Sequence, residues 1–130
     1  MAEDTKRAPR TPAGLSKHAA RWWRRVVPRL IEMDVVDVDA DYGRLVLLAQ
    51  AWGMAQESYD KIQEEGLFRQ DENNVTRKHP AHQVWRDSSS VYNSLGKELG
   101  LTPLSRNRLG VKESGGDDEL AQFLQRGKRR

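Results

Sequence analysis

The chain has 130 residues, of which 32% are charged and 37% apolar, a formal net charge of +3 and no cysteine. That length suits one modest domain with tails, and the missing cysteine excludes disulfides, a thiolate zinc site and a thiol nucleophile. No run approaches the roughly 18 apolar residues of a membrane span, and no secretory apolar region follows Met1-Ala2-Glu3-Asp4-Thr5-Lys6-Arg7, so a cytoplasmic protein without a membrane partner is expected.

Residues 1–14 are charged, contain Pro9, Pro12 and Gly14, and lack an apolar period; a disordered basic tail is expected there. Ser16 then suits the N-cap of a first helix over 17 to about 33, in which Trp22, Trp23, Val26, Val27, Leu30 and Ile31 recur at helical spacing. Pro28 falls inside that pattern and should kink or split the helix, since it lacks a backbone donor and crowds the preceding turn. Val35 to Asp39 reads as a connector, with Asp37 or Asp39 available to cap a second helix and Asp41 in its first turn. From Ala40 to Glu65 the set Tyr42, Leu45, Leu48, Ala49, Trp52, Ala55, Tyr59 and Ile62 steps by three and four, which predicts a long amphipathic helix closed by Gly66.

Over 67–78 the helical period is lost, and Asp71-Glu72-Asn73-Asn74 has the composition of a turn between two short runs, so a small β-hairpin is expected. Pro80 begins a third helix whose buried face is read as Ala81, Val84, Trp85, Ser88, Val91, Tyr92, Leu95 and Leu99. Gly100 suits the left-handed position after that helix, and Leu101 should fold back onto Leu95. Thr102 as N-cap and Pro103 as first residue start a short helix over 103–109 that carries Arg106 and Arg108. After Gly110, Ser114-Gly115-Gly116 reads as a flexible joint, and 117–125 as two turns of helix presenting Leu120, Phe123 and Leu124 to a partner. The predicted fold is mainly α: an antiparallel helical hairpin, a third long helix, a short C-terminal helix and a β-hairpin insert. Residues 15–110 are expected to form the helical core and 111–130 a flexible tail.

Charge is segregated along this plan. Residues 1–30 carry a net +6, residues 31–41 a net −5, and residues 79–112 a net +3. Such a pattern fits a polyanion partner, and equally fits subunits that pack acid against base.

Few residues offer catalytic or metal chemistry. His79 and His82 are three apart without an evident third ligand, and His79 is better placed at a helix entrance. Asp37-x-Asp39-x-Asp41 imitates an EF-hand start, but Tyr42 stands where its glycine belongs and Leu48 where its glutamate belongs. No nucleophile elbow, phosphate-binding glycine loop or dinucleotide fingerprint occurs. No catalytic residue, metal or cofactor is assigned, and binding is the better category. Trp22, Trp23, Trp52 and Trp85 read as core in preference to base-stacking platforms. The basic residues before position 30 could engage phosphates in a salt-dependent way. The 80–109 segment has a helix-turn-helix outline, although about seven residues is short for a recognition helix.

Taken in order, these features resemble the small terminase subunits of tailed double-stranded DNA bacteriophages. The resemblance rests on the Leu15-Ser16 helix with Trp22-Trp23, the acidic connector to Asp39 or Asp41, the long helix ending at Gly66 and the polar insert before His79-Pro80. Its most specific part is Leu99-Gly100-Leu101-Thr102-Pro103-Leu104-Ser105-Arg106, and it covers about 15–110. It implies a ring-forming, non-enzymatic subunit that binds viral double-stranded DNA in the cytoplasm of the infected host. Such a subunit initiates genome packaging and presents the DNA to the large terminase subunit, which carries the ATPase and nuclease. The DNA-facing residues would be Lys6, Arg7, Arg10, Lys17, Arg21, Arg24, Arg25, Arg106 and Arg108, and Leu120, Phe123 and Leu124 would dock the large subunit or capsid machinery. Two alternatives are a helix-turn-helix regulator using 80–109 and an assembly adaptor that barely touches DNA.

Overall fold

The computed structural model describes residues 9–110. In chain order they form α1 (Lys17–Glu32), α2 (Tyr42–Glu65), β1 (Phe68–Gln70), β2 (Thr76–Lys78), α3 (Ala81–Glu98) and α4 (Pro103–Arg108). The fold is therefore mainly helical with a two-stranded antiparallel insert, as the periodicities predict. The tail residues Lys6, Arg7, Leu120, Phe123 and Leu124 lie outside the described residues.

Helix α2 is the central element. Its Leu45, Ala49 and Gly53 side meets α1, and the opposite side, with Ala51, Ala55 and Ser58, meets α3. Both neighbours run antiparallel to it: Ser16, at the start of α1, lies beside Gly53, and Arg44, at the start of α2, pairs with Glu98 at the end of α3. The core between them is Trp22, Trp23, Val27, Leu30 and Ile31 of α1 with Leu45, Leu48 and Ala49 of α2 and Leu99 beyond α3. Gly53 marks the closest approach: a Cβ there would lie 2.6 Å from Ser16 Oγ and 3.0 Å from the Ala19 Cβ. Ser16 is the N-cap of α1 and accepts from the Ala19 N–H at 3.2 Å, so the cap and the helix contact occupy the same spot.

Several expectations need correction. Pro28 neither splits nor ends α1, which runs through it as one helix. The missing donor would have served the Arg24 carbonyl, and Arg24 lies on the exposed side, where water can replace it. Neither Asp37 nor Asp39 caps α2. Asp37 accepts from the N–H groups of Asp39 and Ala40 and so closes the turn, while Asp41 is the N-cap residue and spends its carboxylate on the Asp37 N–H. Leu101 folds back as a Schellman cap requires, with its N–H on the Gly96 carbonyl at 2.9 Å. Its side chain lies against Gly96. Gly100 has φ +82° and packs against Val35. Thr102 caps α4 in a reciprocal capping box with Ser105. On α3 the predicted buried face is only partly buried: Ser88 and Leu99 are covered, whereas Val84, Trp85 and Val91 are exposed. Among the described residues α3 has α2 on one side and no third layer on the other, which leaves Val84, Trp85 and Val91 uncovered there.

The β-hairpin is held to the helices by His79, which is only 6% exposed. Its Nδ1 accepts from the Ala81 N–H at 2.9 Å, so the ring proton sits on Nε2 and is donated to Glu65 at 2.6 Å. Arg69, 3.5 Å from Nε2, is then a neighbouring charge and not a donor to that nitrogen. The His79 hydrogen bond is the main cause that holds the Glu65 carboxyl below its ordinary value of 4.5. A depressed folded value means that the anchor stabilises the protein above the unfolded value and is lost as pH falls through the folded one. The protection of the β1 and β2 amides against hydrogen exchange, taken relative to the intrinsic rate at each pH, should fall below about pH 4.5. In Glu65→Gln that acid dependence should be flattened, and an unaltered acid limb would remove Glu65 as its source.

Candidate nucleic-acid interface

The outward side of α1 follows from its inward one. With Trp22, Trp23, Val27, Leu30 and Ile31 turned into the core, the i, i+4, i+7 and i+8 positions from Lys17 project to solvent. Those positions are Lys17, Arg21, Arg24 and Arg25, all exposed. They extend over about 12 Å at 1.5 Å per residue. Among the described residues the ion pairs are His18–Asp60, Arg29–Glu32, Arg44–Glu98, Arg77–Asp71 and His79–Glu65, so no carboxylate neutralises this stripe. Four uncompensated cations on one rigid helix face can neutralise a row of phosphates.

The other sequence-predicted cations do not join it. Trp23 Nε1 donates to the Pro9 carbonyl at 3.5 Å, which draws the N-terminal segment, and Arg10 with it, to the side of α1 away from the stripe. Arg106 and Arg108 belong to α4, behind the corner. Arg106 turns back to donate to the Gly100 carbonyl at 3.1 Å, so it braces the turn, while Arg108 is exposed. Helix α4 has six residues, less than two turns, and its Ser105 is spent on the capping box with Thr102.

Beside the stripe a pocket of about 360 Å³ opens between α1, α2 and α3, lined by His18, Arg21, Arg25, Trp52, Gln56 and Tyr92. Its floor is built by aromatic contacts. Trp22 donates from Nε1 to the Tyr92 oxygen at 3.0 Å and meets that ring edge-on, while Trp52 lies 5.3 Å from the Tyr92 centroid at a tilt of 48°. Burial pushes the Tyr92 phenol above its ordinary value, outweighing the opposing effect of the Trp22 bond, so it remains protonated at neutral pH and keeps a proton to donate. At the rim, His18 Nε2 and Asp60 are 2.7 Å apart and tie the start of α1 to the later part of α2. Trp52 and Tyr92 were legible only as core positions, and both are half-buried at this opening. Gln56 had no sequence signal except its place one turn beyond Trp52. His82 stacks on Trp85 with centroids 6.2 Å apart.

On the far side of the α2–α3 pair a second, shallower groove of about 210 Å³ is bordered by Leu47, Ala51, Met54, Ser88 and Val91. Leu47, Met54 and Val91 are each about half exposed. Together with the buried positions, they give the first half of α2 apolar side chains on nearly every side, the pattern of a helix enclosed by neighbours.

No helix among the described residues is long and apolar enough to cross a membrane. Comparison with curated proteins and with solved structures gives no match. The family described as phage terminase, small subunit, matches residues 19–115, which takes in all but the first two residues of α1 and the whole of α2 through α4. With three-quarters of its length inside that match, the chain belongs to the phage terminase small-subunit family.

Proposed function

We propose that this chain is the non-catalytic, DNA-engaging subunit of a phage packaging machine, acting in the cytoplasm of the infected host. Membership of the small-subunit family supports a role in phage DNA packaging. The observation that carries the finer reading is the exposed stripe Lys17, Arg21, Arg24 and Arg25 without an ion pair among the described residues, which suits a row of DNA phosphates. The chain assembles into a homo-oligomeric ring, and the Leu47, Met54 and Val91 groove is the face that a second copy covers. The bound DNA is presented to the large terminase subunit, whose ATPase and nuclease do the chemical work, with Leu120, Phe123 and Leu124 as the docking residues.

Two measurements on the full-length protein test this. Light scattering should give a particle several times the 14.9 kDa chain mass. Binding to duplex DNA should weaken steeply between 50 and 200 mM salt, with a slope of about −0.9 per phosphate neutralised. An intact oligomer that ignores DNA at low salt would leave only an assembly adaptor. A dimer bound tightly to one sequence would favour the helix-turn-helix regulator.

A further inference from the structure

We propose that the pocket between α1, α2 and α3 takes one unpaired nucleotide of the DNA, its base against Trp52 and Tyr92 and its phosphate on Arg21 and Arg25. This rests on the reading of α1 as a DNA-facing helix and adds a structural preference to it. At about 360 Å³ the pocket is at the small end of ligand sites. No carboxylate lines it, and its polar groups are two guanidiniums, the Gln56 carboxamide, the Tyr92 hydroxyl and the His18 ring. A carboxamide pairs a donor with an acceptor, as base edges do, and the Trp52 and Tyr92 rings, in tilted contact with centroids 5.3 Å apart, offer an aromatic wall on which a flat group can lie.

The geometry selects among bearers of that chemistry. A base inside a duplex is stacked on both faces and cannot reach Trp52 without leaving the stack, so the ligand is an unpaired base. Arg21 and Arg25 belong both to the pocket rim and to the stripe, which continues to Lys17 and Arg24. A single strand can place further phosphates along that continuation, and a free mononucleotide cannot. The preferred DNA is thus a duplex with a bulge, a fork or a frayed end.

The test uses the full-length protein and two duplexes of equal phosphate count, one fully paired and one with a short bulge carrying 2-aminopurine. Stacking on an aromatic side chain contributes enough for the bulged duplex to bind about five- to a hundredfold more tightly, and the probe should be quenched on binding. In Trp52→Leu both the preference and the quenching should vanish while affinity for the paired duplex stays within about twofold. Trp52→Phe, which keeps a ring and strains the fold less, should restore most of the preference. Equal binding of the two DNAs by the wild type overturns the pocket assignment alone, whereas failure to bind either overturns the DNA-facing reading beneath it. Free deoxyadenosine monophosphate is the other source of this chemistry and should compete only at far higher concentration; competition at equal concentration would reassign the pocket to free nucleotides. A Trp52-dependent complex with a peptide of residues 117–124, tighter than that with the bulged duplex, would overturn it in favour of an acidic peptide.

Discussion

Replacing Lys17, Arg21, Arg24 and Arg25 together by glutamine is expected to lower duplex affinity about a thousandfold at 0.1 M salt. Each phosphate contact contributes about −0.9 to the slope of log affinity against log salt, so four lost contacts flatten it by about 3.6. Near 0.1 M that corresponds to between three and four orders of magnitude. The loss should shrink as salt rises, because the term removed is the release of counterions. The fold should be spared, since all four side chains are exposed and none is in an ion pair among the described residues. Melting temperature and particle mass should therefore match the wild type, and anisotropy titrations at several salt concentrations measure the change in slope. A quadruple variant with its affinity and slope intact would remove α1 as the DNA-facing helix. The same substitution at Arg10, anchored on the other side of α1 by the Pro9 carbonyl, should have a far smaller effect.

The second large effect concerns stability and turns on two glycines of one helix. Gly53→Val places a side chain where even a Cβ would sit 2.6 Å from the capping Ser16 oxygen and 3.0 Å from Ala19. Overpacking costs about 1–3 kcal/mol, and losing the Ser16 cap adds about 1 kcal/mol. A total of about 3 kcal/mol is a large share of the roughly 5–15 kcal/mol that holds a domain together. Gly43 lies in the first turn of the same helix with nothing within 4 Å of its notional Cβ. Gly43→Ala should be neutral or stabilising by up to about 1 kcal/mol through helix propensity. Opposite signs in urea denaturation are the expected result. If both glycines tolerate substitution alike, α1 does not pack on α2 through this contact. Because Ser16 and Ala19 begin the helix that carries the cation stripe, Gly53→Val should also loosen that stripe and weaken DNA binding.

Much of this architecture was legible because its determinants are local. Ser16, Thr102, Pro103 and Gly100 act through their own neighbours, and the three-and-four spacing of Leu45, Leu48, Ala49 and Trp52 identifies a helix wherever it packs. What sequence could not supply were the identities of the partners. The exposed face of α3 was misjudged because spacing marks a side as apolar without saying whether anything covers Val84, Trp85 and Val91. Asp41 took the cap position expected of Asp37 or Asp39 because a carboxylate in a turn has several N–H groups in reach, and only backbone geometry chooses among them. Pro28 was tolerated because the carbonyl it leaves faces solvent. The cation stripe could be read from the intervals on α1. The pocket beside it could not, since its walls come from three helices that meet only after folding.

The central position of α2 has a consequence for how this protein can vary. From Leu45 to Ala55 its positions face α1, α3, the pocket or the far groove, which Gln50 also borders. One turn later, Glu57, Asp60, Lys61, Gln63 and Glu64 are all exposed. Heritable change should therefore accumulate in the last two turns of the helix and be purged from 45–55, giving one continuous helix two rates of drift.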